Sequence, residues 1–385
     1  MFFQLLDSIN GIIWGYIGFL LIAGLGGYFT FKSRSFQLRK FFPILRHFLR
    51  FSKDKDNNNS AIGLHPIKIF FTAIGGSIGI GTIVGICTAV QIGGPGALFW
   101  TWIAGFLGML LLYSEVYLGL KYRVPHPKGG FQGGPMFFLS KAYKSKKIIP
   151  LLVSLFICVY GVEIFMFNVM TESISFNLHL NKYLVVGSMV FIILYATRGG
   201  IKRVSEVCTM IMPLFILTYV AMNSWVIYQN LPAIPALLLT VIKAAFTPQA
   251  AAGGFAGSSI FLTIAMGLSR GAYANDIGIG YTSMIYSESN SKEAMHRQAA
   301  LTIFGVFLNT FIVCTSSIFL ILITGVWQTT TDVTLLVQTA LAQYFPYMHI
   351  FMPCFLFMLG YTTIITYFVV GLKCATFISP KRGKV

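Results

Sequence analysis

The segment from Ile67 to Gln91 is apolar almost throughout, yet it carries the run Gly75-Gly76-Ser77-Ile78-Gly79-Ile80-Gly81 at its centre. A second long apolar segment is interrupted in the same way by Gly253-Gly254-Phe255-Ala256-Gly257-Ser258-Ser259. In hydrocarbon every backbone N–H and C=O needs a partner, so an unwound stretch survives only where protein walls a cavity around it. Glycine-interrupted spans in the two halves of a membrane protein point to a central substrate and ion site between them.

Composition makes lipid the solvent. Charged residues are 10% of the 385-residue chain and hydrophobic ones 56%, with mean hydropathy +0.76, whereas a soluble domain carries about a quarter charged residues. No compositional shift marks a second domain, so residues 1–385 read as one all-α polytopic membrane domain. Nine transmembrane helices are predicted, at about 11–31, 67–91, 97–119, 148–170, 182–197, 206–228, 240–268, 298–326 and 347–372. A bilayer needs roughly 20 apolar residues, so 182–197 is short and 298–326 is long enough to tilt. With the N-terminus outside, the inner loops collect all but Lys182 and Lys243 of the 28 Lys and Arg residues. The positive-inside rule therefore predicts N-out, C-in. This orientation signal accounts for the net charge of +17, and a nucleic-acid partner is not needed to explain it.

Met1 to Asn10 lacks a basic n-region, so the first apolar segment reads as an uncleaved helix. The six cysteines lie in or at the ends of spans without a Cys-x-x-Cys pair and read as packing residues, not disulfides or metal ligands. Residues 1–66 hold the first helix and a basic inner loop, whose stretch Phe36 to Phe51 is amphipathic and suited to the membrane surface. Five spans follow over 67–228, and a second set opens at 240. Each set begins with its glycine-broken span. Five is odd, so the second set enters from the opposite side, as an inverted repeat. Only three of its spans precede Val385, which leaves the last two core helices missing from this sequence.

The segment Gly79 to Arg123, GIGTIVGICTAVQIGGPGALFWTWIAGFLGMLLLYSEVYLGLKYR, closely resembles the alanine or glycine:cation (sodium) symporter family. Further stretches match in order: Gly130 to Met136, Gly253 to Gly257 with Arg270 to Gly280, and Asn309 to Ser316. A weaker match covers Gly360 to Ile364 and Gly371 to Cys374. The resemblance implies a LeuT-like fold of the amino acid-polyamine-cation superfamily, with one helix added before a five-plus-five inverted repeat. It also implies sodium-coupled uptake of alanine or glycine, with D-alanine accepted by some members, in the bacterial inner membrane. Sodium is then the coupling ion, and no other cofactor is called for.

A zwitterion needs partners of both signs in a dry site. Amide N–H groups at a half-helix N-terminus suit the carboxylate, and unwound carbonyls suit the ammonium or sodium. The carboxylate is expected near Gly79, Gly81 and Thr82, with Gly253, Gly254, Phe255 and Gly257 walling the side-chain end. Phe255 either caps a small side chain or simply packs, and close helix packing is the alternative for the glycines. The family usually has asparagine at the position of Thr82. It also has a glutamine in the fourth span, where this chain offers Met170 or Thr171 according to register.

For sodium, the resemblance points to the adjacent hydroxyls of Thr362 and Thr363 with carbonyls around Ile74 and Ser77. A lone Thr in a membrane helix more often bonds back to its own backbone. Glu163 falls within an apolar span, where an ionisable group is a functional candidate. It is read as an amine partner or a proton site, with a neutral or paired structural carboxyl as the alternative. Glu115 matches a family glutamate and is expected to pair with a nearby Lys or Arg in a structural or gating role. Asn275 and Asp276 are expected to cap a following helix at an inner gate.

An enzyme would need a His, Asp, Glu or Cys constellation facing one cavity, and the six histidines sit in loops or at span ends. Two alternatives remain beside sodium-driven alanine or glycine uptake: a shortened, non-transporting member, and a proton-coupled or different small-amino-acid carrier.

Overall fold

The computed structural model describes residues 9, 12–53, 64–126, 130–143, 148–249, 257–290, 295–330 and 332–380. They are helical apart from a two-residue ribbon and the connecting turns. After a π-helical turn at Ile13–Gly18 come α1 (Phe19–Lys32) and the amphipathic α2 (Phe41–Lys53). Phe48 of α2 packs its ring, tilted, 4.6 Å from that of Phe70 and 5.0 Å from that of Phe304, so the apolar face of α2 is seated on the helices rather than left free.

The glycine-interrupted segment folds as α3 (Pro66–Ser77), a π-turn at Gly81–Gly85, and α4 (Cys87–Gly93). Its two halves bend by 53° across the break. α5 (Ala97–Lys121) follows, then the ribbon β1 (Val124–Pro125) and β2 (Phe131–Gln132), and α6 (Pro135–Ala142). The span expected over 148–170 has a break of its own: α7 (Ile148–Tyr160) gives way at Gly161, Val162 and Glu163 to α8 (Ile164–Leu178). α9 (Lys182–Thr197) and α10 (Gly200–Gln229) complete the first five spans.

The span expected over 240–268 is split as well. α11 (Ile234–Phe246) stops well before the second glycine run, and α12 (Ile260–Ala274) starts after it. Beyond α13 (Tyr281–Tyr286), α14 (Met295–Val306) continues through a π-helical stretch at Phe307–Cys314 into α15 (Thr315–Thr324). Short helices follow over 326–342, ending in α16 (Leu336–Ala342); the apolar run from Val333 to Ala342 is too short to have read as a span. α17 (Met348–Ile378) closes the described fold.

Among the described residues five helical spans are long and apolar enough to cross a membrane, with α7–α8 and α14–α15 each taken as one, and six when the bent α3–α4 pair is one span. The other three expected spans contain shorter apolar helices: α1, α9, and α11 with α12.

α3 packs on α10 and α17, whereas α4 packs on α12 and α5. α17 also lies against α7 and α8, and α5 against α1 and α14. The broken helix thus joins two groups of helices, with its break at their junction. Small residues let α5 approach its neighbours. A Cβ on Gly105 would lie 2.6 Å from Thr310, and one on Gly271 would lie 2.8 Å from Ala104.

Candidate functional site

α3 ends because Ile78 leaves the helical region (φ −84°, ψ 84°), although its N–H still bonds the Ile74 carbonyl at 2.7 Å. The first glycines are spacers. A Cβ on Gly75 would come within 2.8 Å of Cys208 Sγ, and one on Gly76 would overlap the ring of Tyr281, whose hydroxyl donates to the Thr72 carbonyl at 2.9 Å. Gly79 and Gly81 do not take positive φ; they are glycine because neighbours press on the unwound chain. At Gly79 a Cβ would sit 2.8 Å from Thr363 Oγ1 and 3.2 Å from Met166, and at Gly81 it would sit 3.0 Å from the Tyr273 ring. Met166 and Tyr273 therefore cover the break, and neither carried a sequence signal that separated it from ordinary apolar packing.

The second break is described at its edges. Gln249 and Ser258 pair as an antiparallel bridge, and Gly257 takes φ 87°, a conformation that favours glycine. Ser258 Oγ and Thr263 Oγ1 both donate to the Gly93 carbonyl, at 3.1 and 2.7 Å. The far end of α4 is thereby tied to the end of the second break. Gly253, Gly254 and Phe255 lie outside the described residues.

Several expected roles are redistributed. The Thr82 hydroxyl donates to the Ser77 carbonyl at 2.8 Å and so braces the break internally. Thr171 bonds back to Phe167 and Asn168 of its own helix, and Met170 is fully buried against Gly360.

The four-part sodium set is separated. Thr363 Oγ1 reaches across to the Gly75 carbonyl at 3.1 Å, whereas Thr362 Oγ1 donates to Leu359 O and faces Met212. Ile74 and Ser77 line a small cavity together with Asn275. The Ile74 and Ser77 carbonyls already accept bonds from Ile78 N–H and Thr82.

Asn275 and Asp276 do not cap the next helix. Asn275 is the C-cap of α12 and donates to the Gly271 carbonyl and to Thr310 Oγ1, each at 2.7 Å. Both residues are buried, because this segment passes between α5, α14 and α17 instead of over the surface. Glu115 finds no basic partner among the described residues; its Oε1 accepts from Ser283 N–H at 3.3 Å. Glu163 is the left-handed N-cap of α8 (φ 50°) and is buried with Oε1 unpartnered. It lies within electrostatic reach of Asp276, Tyr160 and Tyr273. The break that puts it there was invisible in an apolar sequence.

A separate cavity of about 370 Å³ opens against the C-terminal half of α8. Its walls include Val169, Asn177, Asp332, Gln338 and the Lys182–Glu172 ion pair at 2.9 Å.

Residues 1–385 match the sodium:alanine symporter family along their whole length. The chain belongs to that family. A sodium/alanine symporter of Methanococcus maripaludis is 28% identical over 393 residues, covering 99% of this chain and 85% of its own. An uncharacterised transporter of Haemophilus influenzae is 31% identical over 328 residues, 84% of this chain and 71% of its own. A probable sodium/glutamine symporter of Bacillus subtilis is 27% identical, covering 85% and 67%. That family is one of multi-pass membrane transporters, and membership implies amino acid and sodium as the transported partners.

Proposed function

We propose that this chain couples sodium entry to uptake of a small neutral amino acid, alanine or glycine, by alternating access in a bacterial plasma membrane, with its N-terminus outside. The observation that carries the reading is the α3–α4 break, where the Thr363 hydroxyl meets the Gly75 carbonyl and faces Gly79 at the junction of two helix groups. Sodium binding between Thr363 and α3 would fix one group against the other. The amide N–H groups following Gly79 would take the substrate carboxylate at the start of the second half-helix. Gly257, and outside the described residues Gly253, Gly254 and Phe255, would close the side-chain end. A LeuT-like five-plus-five repeat accounts for two broken spans, one opening each set.

Buried Glu163 and Asp276, each with an unpartnered oxygen, favour proton coupling as a second reading. Proteoliposomes separate the two. Labelled alanine should accumulate under an inward sodium gradient with no pH gradient. Equal accumulation in sodium-free buffer under a pH gradient would replace sodium by the proton.

A further inference from the structure

α1 meets α5 at Gly26, where a Cβ would lie 2.7 Å from Leu107. One turn nearer the Lys32 end the two helices have parted, and a cavity of about 360 Å³ lies between Phe29 and Leu110. Ser33 and Ser114 line it a further turn on, so the helix faces that touch at Gly26 and Leu107 diverge through the gap. Beyond Lys32 the chain turns through Arg34 and Ser35, both at positive φ (54° and 53°), into a short helix at Phe36–Arg39. Gln37 holds that helix on α1 by donating to Thr30 Oγ1 at 3.1 Å, and Phe36 lies 5.6 Å from the Tyr113 ring. The gap thus becomes a pocket with aromatic walls at the end of α1. Its volume falls in the range of roughly 300–1,000 Å³ that ligand sites occupy.

The rim of this pocket is basic. Lys32 lines the cavity and gives one ammonium N–H to the Tyr28 hydroxyl at 3.0 Å, which leaves its other donors free. Arg39 gives one N–H to the Ser33 carbonyl at 3.0 Å and keeps the rest of its guanidinium fork for an anion. The Ser33 and Ser114 hydroxyls are already donated, to the Thr30 and Leu110 carbonyls. No Asp or Glu occurs from residue 8 to residue 53, and among the described residues neither cation has a carboxylate partner. Glu115, next to Ser114, turns to Ser283 instead. Phe31, Leu38 and Phe42 expose apolar surface around the same end of α1. Aromatic walls with an uncompensated basic rim, at the end of a membrane helix, match a ligand with acyl chains and an anionic head. A soluble anion would gain nothing from Phe29, Phe36 and Leu110. A zwitterionic lipid would bring its own cation against Lys32 and Arg39.

We propose that this cavity holds an anionic diacyl phospholipid of the inner leaflet, its phosphate on Lys32 and Arg39 and an acyl chain between Phe29, Phe36 and Leu110. The inference rests on the orientation proposed above only for the choice of leaflet. A lipid here fills the gap that opens beyond Gly26 and fastens α1 to α5, which itself packs on α12 and α14.

The test is native mass spectrometry of the purified full-length chain in a neutral detergent, titrated with phosphatidylglycerol or with phosphatidylcholine of the same acyl chains. One phosphatidylglycerol should bind at a midpoint roughly tenfold or more below that of phosphatidylcholine. Lys32→Gln with Arg39→Gln should weaken it roughly 25-fold, since each cation beside an anionic headgroup is worth about a factor of five. Both side chains are exposed, so this variant should fold as the wild type does. Arg46→Gln with Arg50→Gln removes equal charge from exposed positions of α2 that do not line the cavity, and should move the midpoint less than about twofold. Ser114→Phe fills the cavity and leaves both cations in place, and should also weaken phosphatidylglycerol. Equal weakening by the two charge pairs would reduce the effect to general attraction by a basic surface and overturn the proposal. Phosphatidylcholine binding as tightly would overturn it too, as would displacement of the lipid by inorganic phosphate, the mark of a bare anion site. Binding is read without sodium or alanine, so a failed lipid titration leaves the transport reading standing, and failed sodium-driven uptake leaves this one.

Discussion

Replacing Thr363 by valine removes one hydroxyl at nearly constant volume and separates two roles for the threonine pair. As a structural group, Thr363 Oγ1 gives one bond to the Gly75 carbonyl at 3.1 Å. Interhelical hydrogen bonds of this kind in membranes are worth about 0.6 kcal/mol on average, too little to unfold the protein. As a sodium ligand it contributes a contact to a charge, worth about 1.5–3 kcal/mol. At 1.4 kcal/mol per tenfold, Thr363→Val should raise the sodium concentration for half-maximal alanine uptake roughly 10- to 150-fold. Thr362→Val is the internal control. Its hydroxyl bonds back to Leu359 O at 2.9 Å and faces Met212 of α10 instead of an α3 carbonyl. Its sodium midpoint should move less than about twofold. The assay is labelled alanine uptake into proteoliposomes at fixed membrane potential and varied sodium. Equal shifts from the two variants, or none from either, would refute the assignment of sodium to the Thr363 side of α3.

Gly79→Leu and Gly81→Leu should abolish alanine binding to monodisperse protein, since the added side chain must displace Thr363, Met166 or Tyr273. Gly24→Leu should be mild because no atom lies within 4 Å of its Cβ position; Gly26 is no such control, packing 2.7 Å from Leu107. Normal affinity in both the Gly79 and Gly81 variants would place the substrate elsewhere. Leucine should fail to compete with alanine at equal concentration, because packed walls resist overfilling, and effective competition would argue for a larger cavity.

The sequence by itself determined the solvent, the helical class and two of the places where helices break. Lipid offers no partner to a bare backbone, so long apolar segments must be helices, and Gly75 to Gly81 could interrupt one only beside a protein-lined site. The motif matches determined the family for the same reason: glycines fixed by close contact leave a linear signature. Tertiary structure decided which atoms meet. Thr362 and Thr363 are neighbours in sequence, yet successive helical residues point about 100° apart. Only Thr363 reaches α3. The break at Gly161 to Glu163 left no trace, because an apolar run has the same composition whether it is wound or not. Asn275 and Asp276 looked like caps because capping is a local act. Their burial follows from α5, α14 and α17 closing around them, which no local spacing encodes.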